Sequence, residues 1–264
     1  MKPSLYARSV CSDVDEKMIS VIVATNNFNE YLCIALQSIF DQTFVEFEVL
    51  LVANGAACDD IESFVLKRFP SETRLIIIKS NIPQLSYALN LGIDHASYDY
   101  IARMDADDIA HPERLGLQLD YLLAHNLDLV GTGARLIDEF GAVIGSRSPP
   151  RGAEINKKLP FKNVFIHPST LIRKSALLNA RGYNAGFNSE DYDLWLRLKR
   201  LDVRWDNMPD MLLDYRIHPA ASQRRLLGYA EISGALLREF LLSKTLVNAC
   251  SVVVSVIKAF MRAR

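Results

Sequence analysis

The segment Tyr98-Asp99-Tyr100-Ile101-Ala102-Arg103-Met104-Asp105-Ala106-Asp107-Asp108 joins an apolar strand to three carboxylates within four residues. Carboxylates packed this closely repel one another, which costs free energy unless a cation lies among them. Oxygen ligands at a strand end suit Mg²⁺ or Mn²⁺, which binds one or two carboxylates together with substrate phosphates. The alternative is an aspartate-rich turn that caps a helix opening at His111-Pro112-Glu113. The surrounding sequence has to decide between a metal site and a helix cap.

Length and composition predict a globular protein of one large domain or two modest ones. The chain has 264 residues, and 50% of them are hydrophobic, which is enough to bury a substantial core. A net charge of -1 gives no reason to expect a nucleic-acid partner. The four cysteines form no CxxC pair, which argues against a disulfide framework and a zinc site. Residues 1–17 predict a loose arm without a signal peptide, and no apolar stretch is long enough to span a bilayer, so we expect a cytoplasmic protein.

The first part of the chain alternates apolar strands with amphipathic helices. Predicted strands cover 19–24, 47–52, 75–78 and 98–102, and predicted helices cover 31–40, 59–69 and 84–96. This α/β order predicts a mainly parallel sheet with helices on both faces. In such sheets, ligands bind at the carboxyl ends of the strands. Thr25-Asn26, Asn54-Gly55 and the acidic cluster Asp105–Asp108 all follow strands, which predicts one polar rim with the geometry of a nucleotide site.

The second part of the chain is less regular. Its predicted elements are a helix at 112–125, a hairpin from 127–137 to 143–145, a turn into a strand at 167–173, a helix after 189, a strand at 211–217, and helices at 225–243 and 245–262. Ser189 is placed to cap its helix. The loop Ser148-Pro149-Pro150-Arg151-Gly152 is the best boundary between subdomains. We therefore divide the chain into an arm, a main domain and C-terminal helices, at 1–17, 18–224 (halves 18–147 and 148–224) and 225–264.

Five short motifs lie at the ends of predicted elements. In chain order they are Ser20–Asn27, Asn90-Leu91-Gly92, Tyr100–Asp108, Ser189-Glu190-Asp191 and Tyr215-Arg216-Ile217-His218. This set resembles the inverting family-2 glycosyltransferases, and the resemblance covers residues 18–222. It implies the GT-A fold, a Rossmann-like mixed sheet flanked by helices. It also favours the metal site over the helix cap, since the acidic cluster then matches the family's DxD motif.

The resemblance implies a donor site for a nucleotide sugar around the acidic cluster. Asp107 would ligate a Mn²⁺ or Mg²⁺ ion that bridges the diphosphate, and Asp105 would hold the ribose or assist the metal. Asp108 would support either residue. The metal is needed because the departing nucleoside diphosphate develops charge, which a divalent cation neutralises without proton transfer. The other residues of the implied donor site are Thr25, Asn27, Asn54 and Arg103.

The turn after the second strand departs from the family pattern. The family has two aspartates there, and the first contacts the nucleotide base, whereas this chain has Ala53 and Asn54. Asn54 can still hydrogen-bond a base through its amide, but the carboxylate of the usual uracil contact is missing. Thr25 and Asn27 would then carry more of the recognition of the nucleotide.

Inversion by single displacement also needs a base. A carboxylate must take the proton of the acceptor hydroxyl on the face opposite the leaving group. Glu190-Asp191 resembles the family's ED motif, whose aspartate is the base, so Asp191 is the implied base and Glu190 would orient the acceptor or the base. The alternative is that both acids only complement a helix N-terminus. We expect Asp193 to be a solvated helix residue.

Four further features remain open. His218 matches a family element, YRxH, in which a histidine reaches the metal or the diphosphate, but it also fits an ordinary surface histidine. Arg216 would pair with phosphate or with the acidic cluster. His167-Pro168-Ser169 is either an acceptor-side loop or a simple turn. Gln223-Arg224-Arg225 resembles an element of processive relatives, but Leu226 replaces its tryptophan, which favours transfer of a single sugar.

The C-terminal segment 246–260 is apolar, with Lys258, Arg262 and Arg264 near its end. One interpretation is a helix packed on the domain. The other is an interfacial helix whose cations meet anionic lipid. We favour peripheral contact with the inner face of the cytoplasmic membrane, because lipid-linked acceptors are common among such enzymes.

These observations together predict metal-dependent, inverting transfer of one hexose from a nucleotide sugar, expected to be UDP-linked. The acceptor would be a glycan or a lipid-linked saccharide in bacterial surface polysaccharide synthesis, of the O-antigen type. A nucleotidyltransferase is the nearest alternative, but Thr25-Asn26-Asn27-Phe28 lacks the glycine and the cation that would hold a triphosphate. The non-enzymatic alternative is a sugar-nucleotide-binding protein without activity, which the missing aspartate at Ala53 would explain.

Overall fold

The structure is a computed structural model that describes residues 17–184, 186, 189–218 and 225–262. The predicted N-terminal arm, apart from Lys17, lies outside these ranges, as do Gln223 and Arg224. Within them, the cysteines Cys33, Cys58 and Cys250 are free thiols. None of the helices in this part of the chain combines the length and the apolar character needed to cross a bilayer.

A single mixed sheet runs through both predicted halves of the main domain. Its nine strands, counted over the described residues, are β1 Ile19–Thr25, β2 Phe47–Asn54, β3 Leu75–Ser80, β4 Tyr100–Met104, β5 Ile109–Ala110, β6 Leu129–Ile137, β7 Val143–Arg147, β8 Leu171–Arg173 and β9 Trp205–Arg216. The strand order is β3-β2-β1-β4-β8-β6-β9-β5, with β7 beside β6. The four parallel ladders, β1–β2, β1–β4, β2–β3 and β6–β9, are longer than the antiparallel ones. The predicted mixed and mainly parallel sheet is therefore confirmed.

Helices cover both faces of the sheet. They are α1 Glu30–Phe40, α2 Cys58–Arg68, α3 Leu85–His95, α4 Arg114–Ala124, α5 Ala153–Lys158, α6 Lys174–Asn179, α7 Glu190–Arg200, α8 Arg225–Leu242 and α9 Leu246–Arg262. Successive strand side chains point to opposite faces, so Val21 and Val23 join one buried cluster, whereas Ile22 joins the other. The first cluster packs against α1, α2 and α4, and the second against α3, α6 and α7.

The strand predicted at 211–217 is longer than expected, because β9 begins at Trp205. Its register against β6 shifts between Gly131 and Gly133, whose partners are Asn207 and Met211. A bulge of this kind accommodates Pro209 and interrupts the alternating pattern from which a strand is predicted. The helices α5 and α6 were also missed, since six residues each are too few to show helical periodicity. Trp205, at 8% exposure, belongs to the core beside Phe165.

Tight packing between β6 and β9 leaves no room for a side chain at Gly131. A Cβ there would overlap the Asn207 amide oxygen and lie 3.0 Å from the ring of Phe165. Asn207 cannot move away, because its amide nitrogen donates to the carbonyls of Pro150 and Val164 at 2.7 and 3.0 Å. We therefore expect Gly131→Ala to lower the free energy of unfolding by about 1–3 kcal/mol, measured by urea denaturation.

Gly116 on α4 provides the matched control. A Cβ at that position would meet only Phe44, at an ordinary distance of 3.7 Å. Alanine is favoured over glycine within a helix by up to about 1 kcal/mol, so Gly116→Ala should preserve or raise stability. A Gly131→Ala protein as stable as the wild type would contradict the close packing of Gly131 against Asn207.

Candidate active site

The acidic cluster lies at the carboxyl end of β4, where the sequence placed it. Single carboxylate oxygens of Asp105, Asp107 and Asp108 all lie within 4.8 Å of one another. Asp108 is 1% exposed; its Oδ1 accepts the Arg216 backbone N–H at 2.8 Å, and its Oδ2 has no partner in the described structure. The following helix α4 begins at Arg114, with Glu113 at its N-cap and no side-chain cap. The helix-cap interpretation of the cluster is therefore wrong.

The electrostatics of the cluster fit a divalent cation. Burial and the neighbouring Asp105 raise the pKa of both Asp107 and Asp108, so their ionised forms are disfavoured without a further positive charge. The buried Arg103 guanidinium donates to Asp105 and compensates one carboxylate. Three hard oxygen ligands, one of them an orphaned buried atom, suit Mg²⁺ or Mn²⁺.

A second buried arginine supports the strand that carries the cluster. Arg114 is 1% exposed and donates to the Arg103 carbonyl at 2.7 Å and to Gln118 at 2.9 Å. Burial lowers the pKa of Arg114 to about 10, which leaves it charged at neutral pH. It therefore places a positive charge close behind the aspartates.

The end of β9 holds the acidic loop from the other side. The His218 Nε2 lies 2.8 Å from Asp107 Oδ2, so this histidine contacts the acidic cluster. Arg216 donates to the Asp107 carbonyl at 2.9 Å and to the Asp138 carbonyl at 2.8 Å, over the ring of Tyr31. Arg216 therefore binds the backbone of the acidic loop, and its buried guanidinium is not presented to a phosphate.

A cavity of about 590 Å³ opens beside the cluster, between the ends of β1, β2 and β4. Such a volume suits a small-molecule ligand. The predicted site residues that line it are Thr25, Asn27, Asn54, Asp105, Asp107 and His218. Sequence reasoning missed Asn29, which caps α1 by accepting from the Leu32 N–H at 3.2 Å, and Pro83. The only sequence signal for Asn29 was its position as a cap-forming residue before an apolar helix.

The two rim segments from β1 and β2 are held by local hydrogen bonds. The Thr25 hydroxyl donates to the Asn27 carbonyl at 2.7 Å, and the Asn27 amide oxygen accepts from the Phe28 N–H at 2.8 Å. Asn54 is 4% exposed, and its amide nitrogen lies 3.5 Å from the Ile82 carbonyl. These contacts hold the shape of the rim. The rim includes Asn54, where this chain departs from the family pattern.

Arg103 does not occupy the position expected of a donor-binding residue. It is absent from the described lining of the cavity and is 4% exposed, with its guanidinium paired to Asp105. Burial raises the pKa of Glu190 and of Asp191, and the charge of Arg103 opposes this rise. The charge of Arg103 thus acts on both the acidic cluster and the Glu190-Asp191 pair. Any effect of Arg103 on the donor would pass through Asp105.

Asp191 and Glu190 stand in the first turn of α7. The Asp191 Oδ2 accepts a short hydrogen bond from Asn163, and its Oδ1 accepts from the Tyr192 N–H at 2.7 Å. Burial raises the pKa of Asp191, and burial together with Asp191 raises that of Glu190. A buried carboxylate with a raised pKa is suited to take up a proton. Asn163 was missed, because it belongs to no motif.

Two neighbours of this turn differ from expectation. The Ser189 hydroxyl donates to Glu231 at 2.6 Å and makes no cap hydrogen bond to α7. Asp193 is not solvated, since it forms ion pairs with Arg197 at 2.8 Å and with Arg238 of α8 at 2.6 Å. Helix α8 therefore packs against α7 through charge pairs that the local sequence does not reveal.

The segment His167-Pro168-Ser169 is a structural turn. It forms a 3-10 turn before β8, and His167 is 9% exposed with Nε2 2.8 Å from the Tyr183 hydroxyl. Burial lowers the pKa of His167 well below its usual value, which keeps the ring neutral. The Ser169 hydroxyl donates within the core, at 2.8 Å to the Ile166 carbonyl.

A second cavity, of about 620 Å³, adjoins Asp191. Its walls come from the end of β7, the segment 160–163, the first turn of α7, and the helices α8 and α9. Ser251 and Ser255 of α9 are buried on the side facing the domain. The C-terminal helices thus pack on the domain, as one of the two interpretations held, and they help to enclose the space beside Asp191.

Comparisons with known proteins agree with this geometry. The family model described as glycosyl transferase family 2 matches residues 20–182. The O-antigen biosynthesis glycosyltransferase WbnJ of Escherichia coli is 43% identical over 247 residues, 93% of this chain and 97% of the relative. A UDP-Gal:alpha-D-GlcNAc-diphosphoundecaprenol beta-1,3-galactosyltransferase, also of Escherichia coli, is 28% identical over 74% of this chain and 72% of its own length.

The fold also matches a solved structure. A TarS fragment of S. aureus, crystallised in complex with UDP-GlcNAc, aligns with a TM-score of 0.66 over 94% of this chain and 82% of that chain, at 15% identity. This similarity confirms the GT-A architecture that the family resemblance implied. With the family model covering more than half of the chain, the conclusion is direct: the chain is a glycosyltransferase of family 2.

Proposed function

We propose that this glycosyltransferase catalyses metal-dependent, inverting transfer of a single hexose from a UDP-linked donor to a lipid-linked or glycan acceptor in surface polysaccharide synthesis. The observation that carries the proposal is the pairing of two sites. An oxygen-rich cluster borders one cavity, and a buried carboxylate borders the next. Residues 18–147 would bind the donor, and residues 148–224 the acceptor.

The donor would lie in the cavity beside β1 and β2. Asn54 and the Thr25–Asn27 turn present amide and carbonyl groups that would contact the base and ribose. Asp105, Asp107 and His218 would hold the Mn²⁺ or Mg²⁺ ion, with Asp108 behind them. A bound divalent cation would supply positive charge for the departing diphosphate. Because Arg103 pairs with Asp105, it would fix the orientation of that carboxylate.

Asp191 would act on the acceptor as the general base. Its carboxylate would take the hydroxyl proton while the hydroxyl oxygen attacks the anomeric carbon, which inverts the configuration. Asn163 and the Tyr192 N–H hold the carboxylate in place. Glu190, whose pKa is raised by burial and by Asp191, would orient the acceptor.

The direct test is release of nucleoside diphosphate and transfer of sugar, measured with UDP-, GDP- and dTDP-sugars with Mn²⁺ or with EDTA. We expect turnover with a UDP-sugar that EDTA abolishes, and a product whose anomeric configuration is opposite to that of the donor by NMR. Turnover that is insensitive to EDTA, or retained configuration, would contradict the proposed mechanism.

Asn163 offers a test of the base through pH. Its hydrogen bond favours the ionised form of Asp191 and lowers the pKa of that carboxyl. In Asn163→Leu the pKa of Asp191 should rise, so the acid limb of kcat/KM should move to higher pH. A hydrogen bond to a charged group is worth about 1.5–3 kcal/mol, which corresponds to a shift of about one to two pH units.

Asn156→Leu is the control for Asn163→Leu, because Asn156 is exposed on α5. It should leave the pH profile in place. An acid limb that stays at the wild-type pH in Asn163→Leu would argue that another group limits the reaction at low pH.

We also propose peripheral contact with an anionic membrane through α8 and α9. The apolar side chains of α9 that remain exposed are Leu246, Val247, Val253, Val256, Ile257, Phe260 and Met261. On α8 they are joined by Leu237, Leu241 and Leu242. This surface belongs to an amphipathic helix pair whose other side packs on the domain, which suits a position in the membrane interface.

Ile257→Glu combined with Phe260→Glu tests this contact. The side chains are 51% and 74% exposed, so the changes should not disturb folding. Loss of two apolar side chains that would be buried in the membrane should lower binding to phosphatidylglycerol–phosphatidylethanolamine vesicles at least about tenfold in flotation assays. Leu66→Glu, at a site 49% exposed on α2, is the matched control and should float like the wild type. Equal flotation of all three proteins would exclude contact through α9.

A further inference from the structure

The cavity between the acceptor half and the C-terminal helices has an unusual balance of charge. Its described lining carries three cations, Arg147, Lys162 and Lys258, and a single carboxylate, Asp191. The remaining lining is largely apolar or hydroxyl-bearing, and includes Phe161, Ile232, Leu236, Val254, Ser251 and Ser255. An apolar-walled space with excess positive charge favours an anionic ligand.

Among the described residues, neither Lys162 nor Lys258 forms an ion pair with Asp191. Burial raises the pKa of Asp191, and the cations named as opposing this rise are Arg103 and Arg147. Lys162 forms no ion pair within the described residues and is exposed at the cavity. Lys258 donates to the neutral Phe161 carbonyl at 3.0 Å and forms no ion pair with a residue that the structure describes.

The apolar part of the cavity leads toward the exposed face of α8 and α9. Val254 lines the cavity, and Ile257 follows it by one helical turn on the exposed side. On α8, Leu236 lines the cavity and the adjacent Leu237 is 45% exposed. A ligand with an anionic group and a long apolar tail could thus place each part against a matching surface.

We propose that this cavity binds the phosphate-bearing end of a lipid-linked acceptor, with Lys162 and Lys258 contacting the phosphate oxygens. The sugar would lie toward Asp191, and the lipid would leave along α8 and α9. Charge-assisted hydrogen bonds from lysine to phosphate would provide the affinity. This inference rests on the proposed function, and it assigns a second anion site, separate from the donor diphosphate site beside Asp107.

The test uses farnesyl diphosphate as a probe for an anionic headgroup with an apolar tail. Binding to the full-length protein is measured by calorimetry without divalent metal, with farnesol and inorganic pyrophosphate as the two partial ligands. We expect farnesyl diphosphate to bind at least about tenfold more tightly than either partial ligand. In a parallel titration with Mn²⁺, in which UDP occupies the donor site, excess UDP should not displace farnesyl diphosphate, because the donor site is a different cavity.

Lys162→Glu and Lys258→Met should each weaken farnesyl diphosphate binding about tenfold or more and leave farnesol binding unchanged. Lys162 is exposed, so its variant keeps the test valid even if Lys258→Met disturbs the packing of α9. Lys67→Glu is the matched control, since Lys67 is exposed on α2, far along the chain from the cavity. It should bind like the wild type.

Displacement by UDP, or full binding by both lysine variants, would overturn the assignment of the cavity. This failure is distinguishable from failure of the proposed function. Metal-dependent turnover of a UDP-sugar by a protein that ignores farnesyl diphosphate would reject only the acceptor site. Binding of farnesyl diphosphate by a protein without any such turnover would reject the transferase mechanism and leave the anion site standing.

Discussion

Replacement of Asp107 by asparagine is expected to lower kcat/KM for sugar transfer about a thousandfold. A divalent cation contributes several kcal/mol to stabilising developing charge, and each 1.36 kcal/mol corresponds to a factor of ten in rate. Asp107 lines the donor cavity, and its Oδ2 lies 2.8 Å from His218 Nε2. An amide of the same size keeps the packing and removes the charge that would hold the ion. The measurement is steady-state transfer from a UDP-sugar over a range of Mn²⁺ concentrations.

The same variant should be more stable than the wild type in the absence of metal. The pKa of Asp107 is raised by burial and by Asp105, so its ionised form destabilises the folded state at neutral pH. That destabilisation disappears as the pH falls through the raised pKa, so the melting temperatures of wild type and variant should converge in acid. With Mn²⁺ present, the wild type should gain melting temperature through binding to the native state, and Asp107→Asn should gain much less.

Asp60→Asn is the matched control, because Asp60 is exposed on α2 and forms no ion pair in the described structure. It should show wild-type turnover and the wild-type response to Mn²⁺. Full activity in Asp107→Asn would remove the acidic cluster from the mechanism. A metal-dependent rise in melting temperature that survives the substitution would place the ion elsewhere.

The donor side of the site could be predicted from the sequence, because short-range patterns along the chain identify its strands and the polar residues that follow them. An apolar strand followed by polar residues predicts both the strand and the rim, which is how Asp105 and Asn54 were placed correctly beside one cavity. Spacing alone could not predict that His218 meets Asp107 at 2.8 Å, since 111 residues separate them. The family resemblance implied only that His218 reaches the metal or the diphosphate.

The acceptor side depends on packing between distant segments. Asn163 reaches Asp191 from a segment without periodicity, and Arg238 of α8 neutralises Asp193, which looked solvated in sequence. The C-terminal helices were predicted nearly to the residue, yet their role in closing the Asp191 cavity was not. Helical periodicity identifies an apolar face but does not identify the surface on which it packs.

Arg103 shows the limit of assigning roles by motif. The resemblance implied donor binding, while its guanidinium is buried and bonded to Asp105. The partner of this buried guanidinium is a carboxylate of the protein, so Arg103 is held in position without any contact with the donor. Its effect on Asp191 arises from the fold, because β4 and α7 come together only in the folded domain.

Replacement of Asp191 by asparagine is expected to lower kcat about 10²- to 10⁴-fold, the usual contribution of a general base. The amide can still accept from the Tyr192 N–H, so the first turn of α7 should keep its geometry. Donor affinity should not change, because Asp191 borders the second cavity and not the one beside Asp107. Equilibrium binding of UDP with Mn²⁺, measured beside kcat, separates these two effects.

The pH profile gives the Asp191→Asn variant a second readout. In the wild type, activity should fall as the pH drops through the raised pKa of Asp191, because the protonated carboxyl cannot accept the hydroxyl proton. The residual activity of the variant should lack this acid limb. Asp202→Asn is the control, since Asp202 is exposed after α7 at φ 51, a conformation that asparagine also adopts readily. If Asp191→Asn retained wild-type turnover with its acid limb intact, Glu190 would become the remaining candidate for the base, as the other carboxylate of that turn with a raised pKa.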